Sequence, residues 1–237
     1  MSYPPAYPHD PIEEIGPDVF LVRGSIPLNR LMRITRNMVI VRHAGELTLV
    51  DPIRLSDTEE ARLRTLGTVK HLLRLGPMHG LDDPYWKDTT GAELWTPGPS
   101  EAYPEPKADH VVEPGGPLPI PEATLFRFEE TVQAEAMLLL HKGPGLLVTC
   151  DAIQHYGDYR HNNLPARIMM PFIGFPKTTI VGPVWLKIMT REGQSLEGEF
   201  RRLLELDFDA LIAAHGSFLP TGAHAGVRRA VDKAFAK

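Results

Sequence analysis

Four apolar stretches in this chain each run into an aspartate or a histidine at a turn. Leu47-Thr-Leu-Val50 meets Asp51, and His71-Leu-Leu-Arg-Leu75 leads through Gly76-Pro77 to His79. Leu146-Leu-Val-Thr149 leads through Cys150 to Asp151, and Ala210-Leu-Ile-Ala-Ala214 meets His215. Functional groups tend to sit on loops held at the ends of a rigid sheet. If the four ends share one sheet edge, carboxylates and imidazoles converge there, a donor set that suits zinc, iron or manganese.

Each residue also has a plain structural use. Asp51 before Pro52 reads first as a turn residue whose carboxylate accepts backbone N–H bonds. For His79, in Gly76-Pro-Met-His-Gly-Leu-Asp-Asp83, a functional and a structural role weigh about equally. Asp82 and Asp83 serve equally well as the start of a helix with Pro84 in its first turn. For Asp151 and His215 function edges ahead, because a polar group buried at the end of an apolar strand needs a partner. Cys150 reads as a small hydrophobe rather than a nucleophile. His141 reads as an exposed turn residue, and His155, Asp158 and His161 as a solvated or substrate-facing loop rather than a second metal cluster. Arg30, Arg33, Arg36 and Arg42 read as an exposed strand face.

The elements that must carry these residues are legible in outline. Val19–Val22 is a short β-type run, and Arg33–Arg42 with Leu47–Val50 forms a hairpin about Ala44-Gly45-Glu46. Ser56-Asp-Thr-Glu59 is a capping box that opens a helix ending at Gly67, and Val69–Leu75 returns as a strand. Pro97 to Pro121 holds eight prolines and reads as a looped crossing within one domain. Ala136–Leu140 and Gly145–Thr149 flank a hairpin turn, Leu196 to Leu204 has helical spacing, Ala210–Ala214 is a strand, and an amphipathic helix closes the chain. The expected arrangement is a Pro-rich lead over 1–18 and a single α/β domain over 19–237.

Composition sets the outer bounds. The 237 residues carry 25 basic and 30 acidic groups, a formal net charge of −5, which argues against a nucleic-acid partner. The single cysteine leaves no intramolecular disulfide and fits a reducing compartment. No apolar run reaches the ~20 residues that span a bilayer, and the first residues lack the pattern of a signal peptide. The expectation is a cytoplasmic protein with no membrane partner and a small-molecule substrate or ligand. The 23 prolines are roughly twice the usual share.

In order and content these features resemble the metallo-β-lactamase superfamily: the hairpin ending in Leu-Val-Asp51, the capped helix, the strand and His79 loop, Leu-Leu-Val-Thr-Cys-Asp151, and Ala-Ala-His215-Gly. The resemblance runs from about Val19 to the last helix. It implies a four-layer αββα sandwich with one or two metals at one edge, and commonly a hydrolase in which metal-activated water attacks an ester, amide or phosphodiester. The family's loop is His-x-His-x-Asp-His; here His79 stands at the first His, Leu81 at the second, Asp83 at the Asp and Pro84 at the last. A shift of one residue would use Asp82 instead. Where the family has its next His, Glu130 is nearest, whereas Asp151 and His215 match their positions. Pro52-Ile-Arg-Leu55, Gly67-Thr-Val-Lys-His71 and His79–Trp86 resemble a divergent branch with a similarly reduced loop.

The resemblance thus implies a metal-dependent hydrolase with one divalent ion (zinc, iron or manganese) on His79, Asp151 and His215. Asp83 would be a further ligand or orient the water. The alternatives are a catalytically silent binding protein of the same fold that has lost its metal, and an oxidoreductase using iron.

Overall fold

A computed structural model describes residues 3–236; Met1, Ser2 and Lys237, the outer ends of the lead and of the domain, lie outside the described residues. The chain begins with strands β1 (Glu13–Gly16), β2 (Val19–Pro27), β3 (Arg33–His43) and β4 (Glu46–Val50), followed by helix α1 (Asp57–Leu66), β5 (Thr68–Leu73), α2 (Asp83–Thr90), β6 (Glu93–Thr96) and β7 (His110–Val111). These seven strands form one sheet in sequence order, antiparallel from β1 to β4 and parallel from β4 to β7. Ser56 caps α1 by accepting from the Glu59 N–H, and Gly67 follows the helix, as the capping box predicts. Within the 1–18 lead, β1 pairs with β2.

The second half supplies β8 (Ala123–Arg127), β9 (Ala136–Leu140), β10 (Leu146–Thr149), β11 (Ile153–His155), α3 (Leu164–Met169), β12 (Thr179–Val181), α4 (Pro183–Met189), α5 (Glu197–Leu203), β13 (Ala210–Ala213) and α6 (Ala223–Ala234). Its four-stranded sheet has the order β13-β10-β9-β8, with β11 and β12 as a separate ribbon. The Pro97–Pro121 stretch crosses between the two sheets and contains only the two-residue β7 among the described elements.

The core explains the layers. Leu21, Val39, Val41 and Leu73 from the first sheet pack with Leu138, Leu140, Val148 and Ile212 from the second. On the other face of the first sheet, Phe20, Val22, Met38 and Ile40 pack with Leu63 of α1 and Trp86 of α2. On the far face of the second, Met137, Leu139 and Leu147 meet Trp185, Phe200 and Val227 from α4, α5 and α6. Alternate residues of one strand thus enter different cores, which is why Met38-Val-Ile-Val41 and Ala136–Leu140 are continuously apolar. The result is helix, sheet, sheet, helix.

Sequence patterning did not reveal β1, β7, β11, β12, α3 or α4. Each is short, and α3 and α4 each begin with a proline at their first or second position, so helical periodicity has little length in which to show. Among the described residues no helix is long and apolar enough to cross a membrane.

Leu138 is fully buried at the centre of β9, whereas Leu164 on α3 is 69% exposed. Leu138→Ala should cost about 2–5 kcal/mol of unfolding free energy, and Leu164→Ala less than about 0.5 kcal/mol. Urea unfolding of the two variants checks the contrast.

Candidate metal centre

The parallel pairing of β10 with β13 decides the geometry. Thr149 lies opposite Ala213, so two residues further on Asp151 and His215 leave the sheet side by side. His215 Nδ1 is 2.6 Å from the Thr35 carbonyl oxygen. A carbonyl only accepts, so Nδ1 carries the proton and Nε2 is turned to Asp151, 3.0 Å from Oδ1. His79, on the loop after β5, brings its Nε2 to 3.3 Å from the other oxygen of Asp151. The two imidazole rings meet edge to face with centroids 5.2 Å apart.

Two further carboxylates stand beside these groups. Asp51 has a left-handed backbone, φ 48°, and its Oδ1 accepts from the Leu75 N–H at 2.8 Å. Its other oxygen faces His79 Nδ1 at 3.9 Å. Glu135, immediately before β9, accepts through Oε1 from the N–H groups of Asp151 and Ala152 at 3.1 and 2.9 Å. Its Oε2 accepts from Trp185 Nε1 at 2.7 Å. The loops are packed so closely that a Cβ on Gly76 would lie 2.5 Å from Cys150 Sγ. Cys150 itself is fully buried among the residues between the sheets.

Burial would push Asp151 up, but the charges and hydrogen bonds of His79 and His215 outweigh it and hold the carboxyl well below its usual range. Burial would lower His215, yet its bond to Asp151 prevails and raises it. Glu135 is pushed well up by burial and by the neighbouring charge of Asp151.

The structure places the other sequence candidates elsewhere. Asp82 precedes α2 but makes no capping bond; its carboxylate lies 3.4 Å from the Arg36 guanidinium. Asp83 pairs with Arg74 at 3.3 Å and is fully buried. It does not join His79, Asp151 and His215, and neither Asp82 nor Asp83 enters a metal-capable group among the described residues. Burial pushes Asp83 up to about 7, against the pull of Arg74 and Arg36. Arg36 is a correction to the exposed strand face: it is buried and also donates to the carbonyl oxygens of His79 at 2.9 Å and Pro52 at 3.2 Å. A strand covered on both faces has no solvent side on which to leave it.

Glu130 is exposed and takes no part in the cluster. His155 bonds to Thr179, Asp158 to Arg23 and His161 pairs with Asp10, so those three do not converge. Sequence reading missed Glu135. The signal was available, because a carboxylate adjoining five apolar strand residues needs a partner as much as Asp151 does.

The donors fit a divalent ion. One ligand atom from each of His79, Asp151 and His215 lies within 4.8 Å of the others. Ligands about 2.0–2.2 Å from a tetrahedral zinc stand roughly 3.3–3.5 Å apart, close to the 3.3 and 3.0 Å between the imidazole nitrogens and Asp151. Two imidazoles and a carboxylate suit zinc or non-haem iron. Asp51, His79 and Cys150, and Glu135, Cys150 and Asp151, form overlapping groups, but Asp51 and Glu135 already accept the N–H bonds described above.

No protein-family model matches the sequence, and no curated sequence does. Solved structures do. DIM-1 metallo-β-lactamase superposes at a TM-score of 0.60, with 11% identity and 98% of this chain and 100% of that one covered. The metallo-β-lactamase FIM-1 from Pseudomonas aeruginosa, in a mono-zinc form, gives 0.57 with 12% identity and 98% and 99% coverage. A metallo-β-lactamase from Erythrobacter litoralis gives 0.59 with 11% identity and 94% and 92% coverage. The chain has the metallo-β-lactamase fold. Sequence identity this low establishes the fold alone.

Within this metallo-β-lactamase fold the Asp83–Arg74 pair makes a pH-dependent contribution. Raised from 3.8 to about 7, Asp83 binds its proton more tightly folded than unfolded, so its contribution to stability falls as pH rises through that window. Asp83→Asn, which mimics the neutral carboxyl, should match the parent only below the unfolded value of 3.8 and exceed it above that. Its advantage should grow by on the order of 2–3 kcal/mol between pH 5 and pH 8. Urea unfolding at both pH values measures this, and a variant weaker than its parent at pH 8 would contradict it.

Proposed function

We propose that the chain is a metal-dependent hydrolase with one divalent ion, zinc, iron or manganese, held by His79, Asp151 and His215. The observation that supports it is the convergence of these three donors, from three strand ends, within 4.8 Å. When bound, such an ion lowers the pKa of a water and polarises a carbonyl or phosphoryl oxygen. The chain's own residues prepare the site. The Thr35 carbonyl fixes the His215 tautomer with Nε2 directed inward, the role an outer hydrogen-bond partner has for a ligating histidine. Asp51 lies beside His79 Nδ1 at 3.9 Å, an electrostatic neighbour beyond hydrogen-bond distance. Glu135 fixes the Asp151 turn through two backbone N–H groups. Asp83, paired with Arg74, stands outside this ligand set, which favours one ion over two.

A second reading, a binding protein of the same fold without metal, has its own support. Both oxygens of Asp151 already face an imidazole nitrogen, so the three side chains also form a closed ionic cluster. Elemental analysis separates the readings. The hydrolase reading requires about one equivalent of metal, with His79→Ala and His215→Ala each lowering that content. Less than about a tenth of an equivalent, unchanged by soaking with zinc, iron or manganese, would leave the metal-free reading. An ion bound at a hundredfold excess over its Kd adds about 2.7 kcal/mol, so a chelator should lower the melting temperature by roughly 5–10 °C.

A further inference from the structure

The segment that follows Asp151 builds a surface unlike the rest of the molecule. Leu164 and Ile168 stand one helical turn apart on α3, and Val184 and Ile188 one turn apart on α4, all more than half exposed or nearly so. Between the helices Phe172 is 84% exposed, and Leu31, at the β2–β3 turn, is 75% exposed. These residues are neighbours. Asn163 donates to the Leu31 carbonyl at 2.8 Å, and Met32 and Ile34 pack with Ala166 and Met170 of the α3 region. The Gly174 turn comes so near Pro183 that a Cβ there would lie 3.2 Å from its ring. Their opposite sides bury Ala166, Trp185 and Met189, so the helices are anchored and their outer apolar faces are surplus to folding.

The charge on this face is as unusual as its apolarity. The chain is acidic overall, yet residues 19–45 and 159–191, the two stretches that build the surface, contain no aspartate or glutamate. They place Arg30, Arg167, Lys177 and Lys187 on the exterior. Among the described residues none of these four has a carboxylate within 4.0 Å. Protruding apolar side chains among unpaired cations are the two signals by which a protein lies on an anionic bilayer: the apolar groups enter the acyl boundary and the cations meet phosphate headgroups. A second copy of the chain is a poorer occupant. A two-fold interface would set this patch against itself and bring the four cations of each copy together.

We propose that the face formed by the Leu28–Leu31 turn, α3 with its Phe172 turn, and α4 docks on anionic lipid membranes without spanning them. The sequence expectation of no membrane partner rested on the lack of a spanning segment, which does not bear on surface attachment. The proposal is independent of the metal centre, and metal content should be the same in every variant below.

The test is flotation of the full chain with phosphatidylcholine vesicles containing about a third phosphatidylserine, beside vesicles of phosphatidylcholine alone. The protein should float with the anionic vesicles, roughly tenfold more weakly with the neutral ones, and less as salt is raised. Leu31→Ser combined with Phe172→Ser should lower the partition by about tenfold or more. Arg30→Glu combined with Lys177→Glu should lower it by roughly fivefold for each residue. All four positions are exposed or largely so, and an unchanged melting temperature confirms that each variant is folded. The proposal is overturned by absence of flotation with anionic vesicles, or by flotation that neither pair of substitutions weakens. It is equally overturned if the protein sediments as a dimer that Leu31→Ser/Phe172→Ser dissociates while neither protein floats.

Discussion

The edge where the two sheets meet is organised around one constraint, that the charge of Asp151 is out of water. A buried carboxylate left alone would neutralise or disrupt its surroundings. Here His79 and His215 each face one of its oxygens, and two backbone N–H groups of its turn are held by Glu135. Those partners then need partners of their own. Thr35 holds His215 and Trp185 holds Glu135, while Asp51 is anchored to the Leu75 N–H with its other oxygen 3.9 Å from His79 Nδ1. The requirement spreads from one side chain to most strand ends at that edge.

A second set of buried charges lies beside the first. Arg36 and Arg74 face Asp82 and Asp83, and Arg36 also holds the His79 and Pro52 carbonyls. Guanidinium groups are rigid, always charged and rich in donors, so they fix loop backbone while neutralising carboxylates. The same arrangement removes those carboxylates from the metal-capable cluster. Asp82 and Asp83 are thereby engaged by the chain's own cations.

Beyond Asp151 the apolar and basic face begins at Leu164, at the start of α3. Thr35 accounts for the link: its carbonyl holds His215, while its N–H and hydroxyl both bond to Asn162, next to the Asn163 cap of α3. Groups that shape the centre therefore also seat the segment that projects Phe172.

Local chemistry was enough to predict the capped α1 helix, the β3–β4 hairpin, the β9–β10 hairpin and the terminal helix, because capping, turn and periodicity signals act within a few residues. The order of features, with Asp151 and His215 each closing an apolar strand, made the αββα fold legible through its resemblance to the metallo-β-lactamase superfamily. Contacts between distant segments were not legible. The parallel β10–β13 register, with 60 or more residues between the paired strands, sets Asp151 beside His215. The burial of Arg36 and the diversion of Asp83 to Arg74 depend on layers that cover both faces of a strand. Glu135 rather than Glu130 supports the centre because β9 begins at Ala136, which fixes the carboxylate that is carried inside. Sequence determined which groups could bond; which of them share a partner was decided by tertiary packing, since burial removes water and leaves each charge only the neighbours that the fold supplies.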